Sequence, residues 1–321
     1  MLSHSRMCIG LPLRAISAQH QAASAIIDRY ILLTLLASMK TVTQKDIEIQ
    51  RDRNYHRTPD LAIQNEKEAA RFVNEVGFCF LFPQPGVELP NLWEAINGQR
   101  REIPHHHHDH NLHLAWRWKD TLPVKKQVFY GKLIRHKPTL VSLQMFSYFY
   151  ALSDNYGQLE DYLEAYQDGR MTEEAKRVYE VLIARGRSST GVLRREAGLS
   201  SRANASRFDR AIAELQRDLK IAKCGIAEDN RWKYSYVYDL TLQWLPNEAQ
   251  QGVQIANKEA MRAIIDRYIR MVVVSTAERI TQLFDWPIER TKRVIDSMLD
   301  EANLEMVNVE GQTGLWVGHA S

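Results

Sequence analysis

The C-terminal half of the chain contains one sequence pattern twice, over residues 173–239 and again over residues 258–317. Each copy reads as an amphipathic helix, a short helix that opens at a Ser-Thr pair, a longer helix and two short strands. When the copies are aligned, Ser189-Thr190 falls on Ser275-Thr276. Because order and spacing both recur, the pattern predicts a repeated supersecondary unit. A helix-turn-helix followed by a β-hairpin is a winged helix, whose third helix is placed to enter a DNA groove.

The predicted fold class is α+β, mostly helical, with tandem winged helix-turn-helix domains. A length of 321 residues suits two or three domains. Two winged helices are predicted, at residues 166–250 and 251–321. Residues 39–165 are expected to form an N-terminal domain, a divergent third winged helix that carries a loop insert.

Residues 1–38 are interpreted as an extension, either a mobile arm or a mis-called start upstream of Met39. A packed helix fragment is the alternative, because the heptapeptide AIIDRYI at residues 25–31 recurs at residues 263–269.

Composition and charge are those of an ordinary globular protein with a formal net charge of +3. The three cysteines, Cys8, Cys79 and Cys224, lie far apart, which fits neither a zinc site nor a disulfide framework. No apolar run reaches the ~20 residues of a membrane span. We therefore expect a cytoplasmic protein without a membrane partner, associated with the nucleoid through DNA.

Basic residues concentrate in the first C-terminal copy. Between Arg185 and Lys233 there are twelve Lys or Arg and six Asp or Glu, an excess of six in under a sixth of the chain. Phosphate binding needs such clustering, because each neutralised phosphate releases counterions. Protein or RNA contact is the alternative. The predicted double-stranded DNA contacts are Arg202, Asn204, Ser206, Arg207 and Arg210 on the third helix, with Lys220, Lys223, Arg231 and Lys233 on the hairpin.

A second candidate surface is the tract at residues 115–140, where aromatic and basic side chains are interleaved. Bases stack on aromatic faces while cations follow the backbone. Trp116, Trp118 and Tyr130 are the candidate stacking residues, and Lys132, Arg135 and Lys137 are candidate phosphate contacts. The alternative is structural, because Trp116 and Trp118 alternate as in a strand and one of them would then be core. Asp120 is the candidate general base.

Metal and cofactor chemistry are not predicted. His105–His108, His110 and His113 fall in a Pro-bounded stretch that reads as a solvated loop, whereas zinc ligands are held by regular structure. No nucleotide-binding glycine loop, Ser-His-Asp order or cysteine-based site occurs in the sequence.

Several segments resemble the bacterial AlkZ/YcaQ-type family of winged-helix DNA glycosylases, which repair alkylated and crosslinked DNA. They are GFCFLFP, WRWKDTLP, FYGKLIRHKPTLVSL, FSYFYALSDNYG, SRFDRAIAELQRDLKI and WKYSYVYDL. The resemblance runs from about Thr58 to the C-terminus. It implies three winged helices arranged around duplex DNA, and a Gln-x-Asp or Gln-x-Gln motif on a strand directly after a helix–glycine junction.

In this chain the matching junction is Val76-Gly77, and Phe80 and Phe82 stand where the polar pair is expected. Phenylalanine can neither position water nor stabilise an oxocarbenium-like sugar. The resemblance therefore implies a double-stranded DNA-binding protein, with its catalysis either relocated to a residue such as Asp120 or lost. The alternatives are a glycosylase that excises bulky alkylated bases, a non-catalytic transcriptional regulator and a protein-interaction module.

Overall fold

The first elements of the fold pack against the C-terminal end of the chain. The computed structural model describes residues 39–105, 108–229, 233–312 and 316–319, so the predicted extension at residues 1–38 lies outside the described residues. Strand β1 (Lys40–Val42) pairs in parallel with residues 307–309, and helix α1 (Gln44–Asn54) packs on the helix at residues 257–272. Buried Arg51 fixes this contact, since its Nε donates to the Val272 carbonyl oxygen at 2.8 Å.

Within the described residues, one arrangement of helices and strands occurs three times. Each repeat has a helix, a strand, two further helices and two more strands, and the last strand lies between the other two in the sheet. The first repeat, residues 66–142, comprises α2 (Glu66–Val76), β2 (Phe78–Phe80), α3 (Leu92–Asn97), α4 (His110–Val124), β3 (Val128–Gly131) and β4 (Thr139–Ser142).

The second and third repeats follow after short connecting helices. After α5 (Leu143–Ala151) and α6 (Asp161–Gln167), the second repeat comprises α7 (Glu173–Arg185), β5 (Ser188–Ser189), α8 (Thr190–Glu196), α9 (Ala205–Arg217), β6 (Ile221–Ala227) and β7 (Ser235–Leu240). After α10 (Thr241–Trp244) and α11 (Pro246–Gln254), the third comprises α12 (Asn257–Val272), β8 (Val274–Ser275), α13 (Ala277–Phe284), α14 (Ile288–Asp300), β9 (Leu304–Val309) and β10 (Trp316–His319). The elements expected at residues 173–317 are thus confirmed.

The same local signals build all three repeats. A polar side chain caps the second helix each time, because Asn91, Ser189 and Thr276 each accept a backbone N–H two or three residues into the helix. The first helix ends at a residue with positive φ, which is Gly77 (φ 82°) and Gly186 (φ 70°) in the first two repeats.

The third helices share one register of buried positions. Counting back from the strand that follows, the buried sets coincide as Ala115, Trp118, Lys119, Leu122 in α4; Phe208, Ala211, Ile212, Leu215 in α9; and Thr291, Val294, Ile295, Met298 in α14. The first repeat therefore carries a lysine, Lys119, where the other two carry isoleucine. That substitution creates the polar cluster described below.

Two expectations for the N-terminal half are wrong. The strand-like alternation of Trp116 and Trp118 lies in helix α4, which starts after the N-cap Asp109, so His110 and His113 are helical and not in a loop. Among the described residues, no helix combines the length and apolarity that crossing a bilayer requires.

Candidate nucleic-acid interface and a buried lysine–aspartate cluster

The third helix of the second repeat presents basic side chains to solvent, as the sequence predicts. Arg202, Ser206, Arg207 and Arg210 are exposed and Asn204 is half-buried. Residues 202–204 form a 3-10 turn that leads into α9. Phe208, Ala211, Ile212 and Leu215 point into the core, which leaves the arginines on the opposite face.

Part of the positive charge in this repeat is neutralised by ion pairs. Arg194 lies 2.7 Å from Asp209, and Arg207 lies 3.5 Å from Glu174. Among the described residues, neither Arg202 nor Arg210 has a carboxylate partner. The net charge counted from the sequence is therefore higher than the unpaired positive charge on α9 and its leading turn, which Arg202 and Arg210 carry.

The expectation that Lys220 and Lys223 lie on an exposed hairpin is wrong. Both are buried, because β6 packs against α4 and β3 of the first repeat. The Lys220 Nζ donates to Asn155 Oδ1 at 2.7 Å, and burial lowers the pKa of this lysine. Lys233 is exposed as predicted, and Arg231 lies outside the described residues.

The loop between β3 and β4 carries the other predicted phosphate contacts. Lys132, Arg135 and Lys137 are all exposed. The Arg135 Nη1 donates to the Gln282 carbonyl oxygen at 3.0 Å, which ties the loop to the third repeat at the end of α13. The loop is therefore anchored between repeats, with its cations outward.

Of the three candidate stacking residues, only Trp116 has an accessible ring. Trp116 is 45% exposed, whereas Trp118 and Tyr130 are buried and cannot stack on a base. Helical spacing puts Trp118 in the same buried row as Ala115 and Leu122. Tyr130 lies in the buried strand β3, where desolvation raises the pKa of its hydroxyl.

Asp120 lies in a cluster between the first and second repeats. Its Oδ1 accepts from Lys119 Nζ at 2.6 Å and also from Lys223 Nζ, and its Oδ2 accepts from the Tyr234 hydroxyl at 2.8 Å. Lys119 Nζ also donates to the hydroxyl oxygens of Tyr234 at 2.7 Å and Tyr236 at 3.0 Å. The cluster joins α4 to the β6–β7 hairpin.

This cluster holds two buried ammonium groups against one carboxylate. Lys119 and Lys223 are 0% and 1% exposed. Desolvation and the nearby Lys119 charge lower the pKa of Lys223 to about 8. Both carboxylate oxygens of Asp120 already accept hydrogen bonds from Lys119, Lys223 or Tyr234, and its side chain is only 16% exposed. The geometry therefore disfavours Asp120 as the general base and favours a bridge between repeats.

Tyr234, Tyr236 and Phe82 complete this region. The two tyrosines were not predicted as site residues, and Phe82 was noted only as standing where a catalytic polar residue is expected. Tyr234, Tyr236 and Tyr238 alternate along β7 and its approach, a period-two signal that places their rings on one face. The Phe82 ring centroid lies 5.5 Å from that of Trp116. No sequence signal connects Phe82 with Trp116, because they meet only through the tertiary fold.

The strand after the helix–glycine junction is apolar and buried. Phe78 and Phe80 are each 1% exposed. The Phe78 ring centroid lies 5.4 Å from that of Phe149 and 5.8 Å from that of Phe284, so this position is filled by an aromatic core. Of the two positions where the resemblance expects a polar pair, Phe80 lies in this core and Phe82 is half-buried against Trp116, so neither offers a polar atom that could hold water.

A cleft of about 1120 Å³ opens where the three repeats meet. It is lined by aromatic side chains and by cations that already have partners, such as Arg217, paired with Asp218 at 2.6 Å. Among the described residues, no group of three or more His, Cys, Asp or Glu could hold a metal ion. The side chains of His105, His108, His110 and His113 are each exposed to solvent.

A family model described as "AlkZ related" matches residues 63–285, more than half of the chain. The chain belongs to the AlkZ-related family. Among solved structures, the Streptomyces sahachiroi DNA glycosylase AlkZ is similar at a TM-score of 0.53 and 14% identity, covering 88% of this chain and 70% of that one. At that identity the likeness establishes the AlkZ-like fold alone. No curated protein sequence matched the chain.

The matched range includes β2, helix α4, the lysine–aspartate cluster and the whole second repeat. The candidate interface thus lies inside the part of the chain that defines the family.

Proposed function

We propose that this AlkZ-related protein binds double-stranded DNA in a repair-related role without hydrolysing the N-glycosidic bond. The three repeats act as tandem winged helices, within domains at residues 39–165, 166–250 and 251–321. The exposed arginines of α9 contact the phosphate backbone. No cofactor or metal takes part in this proposal, and the partner is the duplex itself.

The observation that carries DNA binding is an arginine shared in register by the third helices. Arg117, Arg210 and Arg293 stand two residues after the first position of the buried set in their helices, and all three are exposed. A winged helix presents this helix to DNA. An exposed guanidinium group at the same position in three repeats supports a shared binding role. Its forked N–H donors match the geometry of a phosphate group.

Two observations argue against base excision. At the two positions where a polar pair is expected, Phe80 is a buried core ring and Phe82 packs against Trp116. Asp120, the relocated candidate, is bound by Lys119 and Lys223. Neither place offers a free polar group to activate water.

An active glycosylase that excises bulky alkylated bases is the second candidate, and family membership favours it. A base-release assay separates the two candidates. We expect no free base from a duplex that contains an N7-alkylated guanine, even with protein in excess over DNA. Release of free base by the wild-type protein would support the glycosylase instead.

The proposed binding is tested by salt titration of duplex affinity. We expect Arg207→Ala with Arg210→Ala to weaken binding, and to reduce the slope of log K against log salt by roughly one to two units because two phosphate contacts are lost. Fluorescence anisotropy with one labelled duplex measures both. Arg53→Ala with Arg71→Ala removes the same charge from exposed positions on α1 and α2 and is the matched control. Equal slopes for the two double variants would refute the assignment of the α9 face.

A further inference from the structure

Three aromatic rings form an accessible surface beside the lysine–aspartate cluster. Trp116 is 45% exposed and Tyr234 is 42% exposed, and Phe82 packs against Trp116. The Lys119 Nζ lies 5.0 Å from the centroid of the Trp116 ring and 5.4 Å from that of Tyr234. We call Phe82, Trp116 and Tyr234 the aromatic platform.

We infer that the aromatic platform binds an unstacked base of DNA, so that the protein recognises duplexes in which a base has left the helix. This inference rests on the proposed DNA binding and adds the class of DNA that is preferred. The base stacks on the Trp116 indole, and the flanking phosphates lie toward exposed Arg117 and Lys233.

The platform is held in place before any ligand arrives. The Tyr234 hydroxyl donates to Asp120 at 2.8 Å, and the Trp116 ring is supported by Phe82 and by the Lys119 ammonium group. Phe82 is supported in turn by the Trp93 ring, at 6.2 Å between centroids. Rings fixed in this way lose little conformational entropy when a base stacks on them.

The surface charge suits a nucleic acid strand rather than an apolar protein partner. Arg117 follows Trp116 on α4, and Lys233 precedes Tyr234, so each accessible ring has an exposed cation next to it in sequence. Lys119 and Lys223 outnumber Asp120 beneath the rings, which leaves a positive potential there. Aromatic faces bordered by cations are the arrangement that holds single-stranded DNA.

Of the three repeats, only the first has an aromatic residue at the position of Trp116 in its third helix. In the shared register of the third helices, Trp116 corresponds to Asp209 in α9 and to Lys292 in α14. Phe82 occupies one of the two positions where the family resemblance expects the catalytic polar pair. The site where a relative would act on the sugar thus presents a stacking surface in this chain.

The test compares a matched duplex with one that carries a single bulged 2-aminopurine. We expect the wild-type protein to bind the bulged duplex about tenfold more tightly and to quench the 2-aminopurine fluorescence. Trp116→Ala should lose both effects and keep the matched-duplex affinity, whereas Trp116→Phe should retain most of the preference. Tyr156→Ala removes an aromatic ring that is 58% exposed elsewhere and should change nothing.

Each outcome decides between the two proposals. A wild-type protein that binds both duplexes equally, or a Trp116→Ala variant that keeps the preference, overturns the platform while duplex binding stands. Binding of the bulged duplex alone supports the platform and overturns the proposed duplex binding. Failure to bind either DNA overturns both.

Discussion

Helices α4 and α9 occupy the same place in the same topology but carry opposite surfaces. In α9 the buried row is entirely apolar, and the outer face bears arginines. In α4 the buried row contains Lys119, and Trp116 lies on the accessible side. The difference follows from what covers each helix, because the β6–β7 hairpin of the second repeat packs on α4.

This contrast shows that a repeated topology fixes the buried register of a helix but not its outer chemistry. Lys119 is tolerated at an isoleucine position because the neighbouring hairpin supplies Tyr234 and Tyr236, and Asp120 supplies a charge. Where no neighbouring repeat covers the helix, as on the arginine face of α9, the exposed side chains remain available for a partner.

The largest expected effect comes from removing the single carboxylate of the cluster. We expect Asp120→Asn to lower the free energy of unfolding by about 3–5 kcal/mol, because Lys119 and Lys223 would be left buried without a counter-charge. Urea denaturation at pH 7 measures the loss. Asp209→Asn on α9 is the matched control, since Asp209 has a side chain that is 65% exposed and should cost under about 1 kcal/mol. Equal losses would show that the two helices do not differ in this way.

A second expectation concerns pH. The pKa of Lys223 is about 8 in the folded protein, against 10.5 for an unperturbed lysine. The unfolded chain therefore binds more protons between these values, and the Lys223 contribution to the free energy of unfolding should rise with pH from about 8 to 10.5. The full rise in the free energy of unfolding is on the order of 3 kcal/mol. Most of the destabilisation from the buried Lys223 ammonium group is present below pH 8.

The comparison of wild type with Lys223→Met isolates this contribution. The difference between their unfolding free energies, followed by urea denaturation from pH 7 to 9.5, should change with pH. Staying below pH 10 avoids the cluster tyrosines, because burial raises the pKa of both Tyr130 and Tyr234. A pH-independent difference would contradict the assignment of a lowered Lys223 pKa.

The smallest expected effect compares the ends of the first helices. An added Cβ at Gly77 would lie 2.8 Å from Arg267 Cγ and 2.9 Å from Met145 Cγ, whereas at Gly186 it would meet no atom within 4 Å. Both glycines have positive φ, so both alanine variants carry a backbone cost of about 1 kcal/mol. We expect Gly77→Ala to cost about 1–3 kcal/mol more than Gly186→Ala in thermal or urea unfolding. Equal costs would mean that the junction relaxes freely.

Two of the three repeats were predictable because their signals are local. The helix caps at Ser189 and Thr276 depend only on residues nearby in the sequence. The same is true of the apolar spacing of α9 and α14. The first repeat is harder to predict from the sequence. Its connections at residues 81–91 and 98–109 are long, so its helices and strands are further apart in sequence than in the other two repeats. Lys119 also interrupts the apolar face of α4. The residues around it therefore show the alternation expected of a strand.

The burial of Lys220 and Lys223 could not be read from the sequence for a different reason. Strand alternation assigns a side chain to a face of the sheet, but only tertiary packing decides what covers that face. The partner of Lys223 is Asp120, more than a hundred positions earlier in the chain. The platform has the same origin, since Phe82, Trp116 and Tyr234 meet through contacts between repeats.

The pairing of β1 with β9 has a consequence for biosynthesis. Lys40 pairs with Val307. Strand β1 is therefore synthesised long before its partner strand β9. Contacts of such long sequence separation form slowly. During that wait the edge that β1 later joins does not yet exist, and α1 lacks the helix on which it packs. The parallel pairing of β1 can therefore form only after the third repeat has been translated, and until then the β1 backbone lacks its partner strand.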